Sequence, residues 1–153
     1  MPLPNIFTKE VADGIIDRIN KLKPDSERQW GKMDVTKMLA HCCVTYEMVY
    51  EPGKHPKPNP VMGLILKLFV KKVVVGEKPF KKNNPTAPQF IIKSDRDFET
   101  EKARLIAYIK RTEELGPAEF NDKESASFGV LKTSEWNNMF YKHLNHHLTQ
   151  FGV

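Results

Sequence analysis

Cysteine is scarce in this chain. Only two occur in 153 residues, Cys42 and Cys43, and they are neighbours. Adjacent cysteines cannot staple distant parts of a fold, so a disulfide-built scaffold is excluded and a reducing, cytoplasmic setting is expected. Long apolar runs are missing as well. The best candidate, Val61 to Gly76, is interrupted by Lys67, Lys71 and Lys72, which makes it too short and too charged to span a bilayer. The opening residues, Met1-Pro2-Leu3-Pro4-Asn5, lack the charged-then-apolar order of a signal segment, and none is expected. There is no aromatic-basic pattern for nucleic acid, no internal repeat and no alternation long enough for a sheet. Neither nucleic acid nor a membrane is therefore expected as a partner. What remains is 40% apolar and 28% charged residues with a net charge of +5. Those are the proportions of one globular domain, here over residues 1–153, with a mild preference for anions.

The apolar residues recur at helical spacing. Phe7, Val11, Ile15, Ile19 and Leu22 predict a first helix, started at Asn5 or Thr8 and ended by Pro24. Asp34 is a natural N-cap for a second helix to about Tyr50, with Met38, His41, Thr45 and Met48 in one inward stripe. Residues 51–60 hold four prolines and a glycine and read as a loop, in which His55 is expected to be solvated. Val61–Gly76 predicts a third, partly buried helix. Apolar residues fill nearly its whole circumference between the lysines, which suits a bundle or dimer interface better than a membrane-surface helix. Residues 76–88 read as an exposed basic loop and Gln89–Ile92 as a short extended piece. Ser94 and Asp97 resemble a capping box for a helix through Phe98, Leu105, Ile106 and Ile109, stopped by Gly116-Pro117. Residues 118–132 read as irregular, and a last helix follows, capped by Thr133 or Ser134 with Glu135 in its first turn. Four principal helices with two longer connections describe an all-α helical bundle.

Three of the five histidines crowd the last helix. His143 and His147 are four apart and project from one face, one turn from each other, a spacing at which two imidazoles can share a metal ion. His146 lies three residues from His143, so a 143/146 pair stays open, but 146 and 147 are about 100° apart and do not both face inward. Gln150 continues the face. Leu144 stands where a His-Glu-x-x-His metalloprotease carries its glutamate, so that general base is missing. His41 adds a third imidazole from another helix. Three such histidines make the protein part of an open zinc-type site with a position left for water or substrate; the alternative for each is a hydrogen-bonded core histidine. Cys42 and Cys43 point about 100° and 200° away from His41 and read as small buried hydrophobes.

The stretch His143-Leu144-Asn145-His146-His147-Leu148-Thr149-Gln150 resembles the His-x-x-His-His-x-x-Gln signature of the DinB/YfiT-like superfamily of four-helix-bundle metalloenzymes. Trp30-Gly31-Lys32-Met33 ahead of Met38-Leu39-Ala40-His41, with Tyr141-Lys142-His143 and the Gln150-Phe151-Gly152-Val153 ending, looks more narrowly like a branch known as a domain of unknown function. The likeness runs over essentially the whole chain. It implies a four-helix bundle of DinB/YfiT-like type with two longer connections, and a divalent metal, zinc or nickel, on His41, His143 and His147. His146 and Gln150 match motif positions without being metal ligands. It also implies the chemistry of thiol-dependent S-transferases, thiol-assisted isomerases or hydrolases acting on a small-molecule electrophile, with a low-molecular-weight thiol as cosubstrate, and a homodimer. Lys67, Lys71, Lys72, Lys78, Lys81 and Lys82 would attract an anionic thiol, or form a solvated surface. Catalytic residues beyond the metal site are not identified by it. The chain departs from the family at Ser125-Ala126, where relatives carry a His-Pro pair ahead of the Phe-Gly at 128–129. A non-catalytic metal- or ligand-binding bundle is the alternative.

Overall fold

In the computed structural model, which describes residues 2–153, the chain is mostly helical. Its helices are α1 (Lys9–Asn20), α2 (Val35–Tyr50), α3 (Pro60–Ile65), α4 (Lys71–Val75), α5 (Phe98–Glu119) and α6 (Thr133–Gln150). A π-helical turn, Leu66–Val70, joins α3 to α4, and a 3-10 turn spans Pro88–Phe90. Strands β1 (Lys123–Ser125) and β2 (Gly129–Leu131) form a two-stranded antiparallel hairpin with Glu124 opposite Val130.

The periodic residues do what their spacing predicts. Ile15, Ile16 and Ile19 are buried, as is Leu22 just beyond α1. α1 and α2 both lie on α5, and α6 packs on α1, α2 and α4. The centre is aromatic: the Phe140 ring on α6 stacks on Tyr46 of α2 at 4.9 Å and meets Phe120, Trp136 and Phe7 at 5.6, 5.5 and 6.5 Å. The Tyr46 hydroxyl is buried there without a hydrogen-bond partner. A buried, unsatisfied hydroxyl costs about 1–3 kcal/mol, so Tyr46→Phe is expected to stabilise the protein in chemical denaturation.

A charged cluster joins α2 to α5. Glu47 is only 4% exposed and accepts hydrogen bonds from His55 Nε2 at 2.7 Å and from Arg104, with Lys54 at 3.0 Å. Arg104 also reaches Glu101 at 2.7 Å. Burial alone would raise the Glu47 carboxyl, but the bonds from His55, Arg104 and Lys54 outweigh it and bring the group from 4.5 down to about 2. A depressed carboxyl stabilises fully above its unfolded value and less as pH falls through its folded one. Stability is therefore expected to drop between pH 4.5 and about 2, by something of order 3 kcal/mol from this group. Acid titration of the denaturation midpoint should show that slope, and Glu47→Gln should flatten it.

Several local expectations give way to the structure. Asp97 itself caps α5, its Oδ1 accepting from the Thr100 amide at 2.8 Å, while the Ser94 hydroxyl accepts from Arg96. Neither Thr133 nor Ser134 caps α6. The residue at the N-cap is Lys132, whose amide donates to Glu135 at 2.9 Å, and Thr133 donates to the Pro117 carbonyl instead. Gln89–Ile92 is a 3-10 turn leading into an extended residue, because Pro88 opens the turn and the Ile91 amide closes it on the Pro88 carbonyl. The connection 118–132 contains the β-hairpin, closed by the Ser125 hydroxyl between the Phe128 amide and the Gly129 carbonyl. His55 is not solvated but held on Glu47. The Val61–Gly76 segment is helical as expected, yet its apolar residues are largely exposed: Val61 is 72% and Phe69 71% accessible. Its packing is concentrated in α4 against α6. There the buried Lys142 ammonium donates to the Val73 carbonyl at 2.6 Å and to the Gly76 carbonyl, closing orphan carbonyls at the helix end. Burial lowers this amine to about 8.

Candidate metal centre

The inward face of α6 carries Trp136, Phe140, His143 and His147 at helical spacing, so the packed core and the two histidines lie on one side of the same helix. Trp136, Phe140, Leu144 and Leu148 are buried and fix how far the helix can roll. His41 stands on α2, opposite. The three rings form a nearly equilateral triangle, with centroids 4.6 Å apart for His41–His147 and 4.9 Å for the two pairs with His143. One ligand nitrogen from each lies within 4.8 Å of the others, and His41 Nε2 is 2.9 Å from His143 Nε2. That is the scale of a tetrahedral imidazole shell, whose ligand atoms are about 3.3 Å apart for bonds of about 2.0 Å.

The outward nitrogens decide what the inward ones can do. His41 Nδ1 donates to the Phe90 carbonyl at 2.9 Å. His147 Nδ1 donates to Gln150 Oε1 at 2.8 Å, since the Gln150 amide nitrogen is already engaged with the Trp30 carbonyl at 2.8 Å. Both acceptors can only accept, so in the neutral ring each of these histidines carries its proton on Nδ1 and presents a bare lone pair at Nε2. His143 Nδ1 lies 3.1 Å from the Thr45 hydroxyl. Each of the three rings therefore has a partner behind it that orients it, the arrangement found around metal-binding histidines.

The electrostatics keep the rings neutral. Burial lowers His41, partly opposed by the Phe90 carbonyl. Burial and then the neighbouring imidazoles His41 and His147 hold His143 well below the ordinary value. Burial and then His41 bring His147 down to about 3. No carboxylate contacts the three rings through any of the hydrogen bonds described. A neutral, nitrogen-only set could hold a divalent cation without cancelling its charge.

His146 is outside the triangle. It is half-buried, edge-on to Trp30 and Phe80 at 5.7 Å each and to His147 at 5.0 Å. Burial and then the Lys82 charge lower it; the Lys82 ammonium lies 4.3 Å over the Trp30 ring. Phe90 covers the other side, 5.5 Å from His41 and 6.1 Å from His143. Cys42 and Cys43 are buried free thiols, pushed up by burial, Cys43 to about 12, which makes neither a ready ligand.

Three participants escape a reading of the sequence for ligands. The Phe90 carbonyl has no side-chain signature. Thr45 is visible only as the residue four after His41. The Trp30 carbonyl acts through Gln150, and the signal for it is the glycine that follows. Gly31 has φ 82°, and a Cβ there would come within 2.7 Å of Gln150 Nε2. Gly31→Ala is expected to cost about 1–2 kcal/mol in backbone strain and to push Gln150 off His147. Gln150→Ala removes only the orienting bond and is expected to weaken zinc about 10–100-fold. Isothermal titration of both variants separates the two effects.

A mostly helical protein with a buried cluster of three neutral histidines is the class that fold and site define. Residues 7–152 match DUF1569, a family described as protein of unknown function, and the chain belongs to it. No curated protein and no solved structure matches it.

Proposed function

We propose that this chain is a divalent-metal-dependent enzyme of the DinB-like four-helix-bundle type, with its ion on His41, His143 and His147. It would act on a small electrophilic molecule with a thiol or water as nucleophile. One observation supports the reading above the others: two, and with Thr45 accepting from His143 Nδ1 three, bare imidazole nitrogens point at one another in a buried space. Lone pairs facing lone pairs repel. The arrangement is at rest with a cation between them, or with Thr45 turned to donate to His143 Nδ1 so that the His143 Nε2 proton bonds His41 Nε2.

The chain's own residues have definable tasks. Phe90, Thr45 and Gln150 hold the three rings in register, so ligand geometry is set before a ligand arrives. Phe90, Phe80 and Trp30 line the surroundings with apolar surface, which limits water and strengthens charge interactions inside. Lys82 over Trp30 places a cation beside His146, favourable for the carboxylate of an anionic thiol. A divalent ion bound here would acidify a coordinated thiol or water and so supply the nucleophile.

Metal analysis by ICP-MS tests the reading. Tag-free wild type is expected to carry about one divalent ion per chain, and His41→Ala/His143→Ala/His147→Ala none. The loaded protein, mixed with a low-molecular-weight thiol and an electrophile panel, should then consume free thiol faster than the variant. A wild type that takes up neither zinc, nickel nor manganese on titration would sink it. A second reading, a non-catalytic metal- or ligand-binding bundle, draws support from the hydrogen-bond partners of the triad. They are two carbonyl oxygens and a hydroxyl, none of them a general base. Stoichiometric metal without thiol consumption or hydrolysis across the panel would favour it.

A further inference from the structure

We infer that α3, the π-helical turn and α4 form a docking surface for an anionic lipid bilayer, lying on the membrane and not crossing it. Among the described residues no helix is long and apolar enough to cross one. The less exposed positions of this segment, Gly63, Leu66, Val70 and Val74, recur at spacings of three and four and mark the side turned to the protein. The remaining circumference presents Val61, Leu64, Leu68, Phe69 and Val73, each 54–72% exposed. Such an array of bulky apolar side chains is a patch that soluble surfaces avoid unless something covers it.

Charge says what covers it. Residues 52–94 contain nine lysines and one acid, Glu77, so this part holds more positive charge than the +5 of the whole chain, and the remainder is net negative. Lys67 and Lys72 are exposed on the segment itself. Apolar side chains that can dip among acyl chains, with lysines at the level of the headgroups, are the composition of an interfacial helix. Each lysine near an anionic surface adds to its attraction. A second copy of the chain is a poorer fit, because a two-fold contact through this face would bring two lysine-rich segments together. A nucleic acid would meet the lysines but leave the leucines and valines without a partner. The helix is also firmly mounted: Asn138 donates to the Val75 carbonyl at 2.9 Å, and Lys142 closes the end of α4. A membrane that binds it therefore holds α6, which carries His143 and His147.

Co-sedimentation with phosphatidylcholine vesicles, with and without phosphatidylglycerol, at low and high salt tests the inference. The wild type should pellet with the anionic vesicles at low salt, be released by salt, and stay in solution with phosphatidylcholine alone. Leu68→Ser/Phe69→Ser and Lys67→Glu/Lys72→Glu alter exposed positions only. Each should lower partitioning by more than about tenfold with an unchanged far-UV circular dichroism spectrum. The inference is overturned if the wild type stays in solution with anionic vesicles at low salt, if it binds uncharged vesicles equally well, or if either variant binds as the wild type does. It is equally overturned if light scattering finds a wild-type dimer that Leu68→Ser/Phe69→Ser converts to monomer, since the face would then belong to a second copy.

Discussion

Zinc is expected to raise the melting temperature of the wild type and to leave that of His143→Leu unchanged. A ligand that binds only the native state at a free concentration a hundred times its dissociation constant adds about 2.7 kcal/mol. In a chain of this size that corresponds to a rise of about 5–10 °C. The informative half of the experiment is the chelator arm. His143 Nε2 lies 2.9 Å from His41 Nε2, and the Phe90 carbonyl commits the His41 proton to the far side of that ring. Without a cation the contact is at rest when Thr45 donates to His143 Nδ1, because His143 then carries its proton on Nε2 and donates it to His41. Leucine at position 143 keeps most of the volume and replaces that hydrogen bond with apolar contact, so in chelator the variant is expected to lie no more than about 1–3 kcal/mol below the wild type. The gap between the two should then widen in zinc, which stabilises the wild type alone. A histidine serving only as a hydrogen-bonded core residue would be missed equally in both conditions, and an unchanged gap would reject the metal reading.

Much of the fold was legible because it rests on local rules. The first and second helices follow from the Phe7–Leu22 periodicity and from Asp34, whose side chain caps the Lys37 amide as expected. The Gly116-Pro117 stop appears as a break inside the Phe98–Glu119 span, where Gly116 takes φ 73° and helical geometry is lost. What failed was whatever depends on partners distant in sequence. Glu135 draws the start of α6 back to Lys132 by bonding its amide, which residue preference at the cap does not reveal. His55 looked solvated because prolines surround it, yet Glu47 lies eight residues away in sequence and 2.7 Å away in space. The Val61–Gly76 segment is legible as a helix but not in how far it is buried. Its composition shows that it wants an apolar partner but not whether the chain supplies one, and the structure leaves most of that face outside.

The candidate site was legible to the extent that helical geometry alone determines it. Spacing puts His143 and His147 on one face of α6 and leaves His146 about 100° from His147, and the structure sets His146 against Trp30 and Phe80. Spacing could not choose between the 143/147 and 143/146 pairs, nor show that the His41 stripe faces α6 at that level. That choice belongs to tertiary packing, since the depth and roll of α6 against α2 come from Tyr46, Phe140 and Trp136. The outer partners were less legible still. Two of the three atoms bonded to the triad through Nδ1 are oxygens whose availability depends on the backbone path: the Phe90 carbonyl in its 3-10 turn, and Gln150 as anchored on Trp30.

This dependence of the site on the core makes Phe140→Ala the variant expected to act on both. Phe140 is fully buried, with rings on four sides. Truncating such a side chain removes its transfer energy and leaves a cavity, together worth about 3–5 kcal/mol, or a fall in melting temperature of about 6–20 °C. Phe140→Leu, which fills most of the space, should lose well under half of that. His147 lies seven residues beyond Phe140, almost directly along the same face, so loosening the ring also loosens the roll that aims His147 at His41. The zinc-dependent rise in melting temperature should therefore be smaller in Phe140→Ala than in the wild type, and intermediate in Phe140→Leu. If Phe140→Ala is destabilised but gains as much from zinc as the wild type, packing does not aim the triad. The bonds behind the rings, from Phe90, Thr45 and Gln150, would then be enough by themselves to hold the three nitrogens in place.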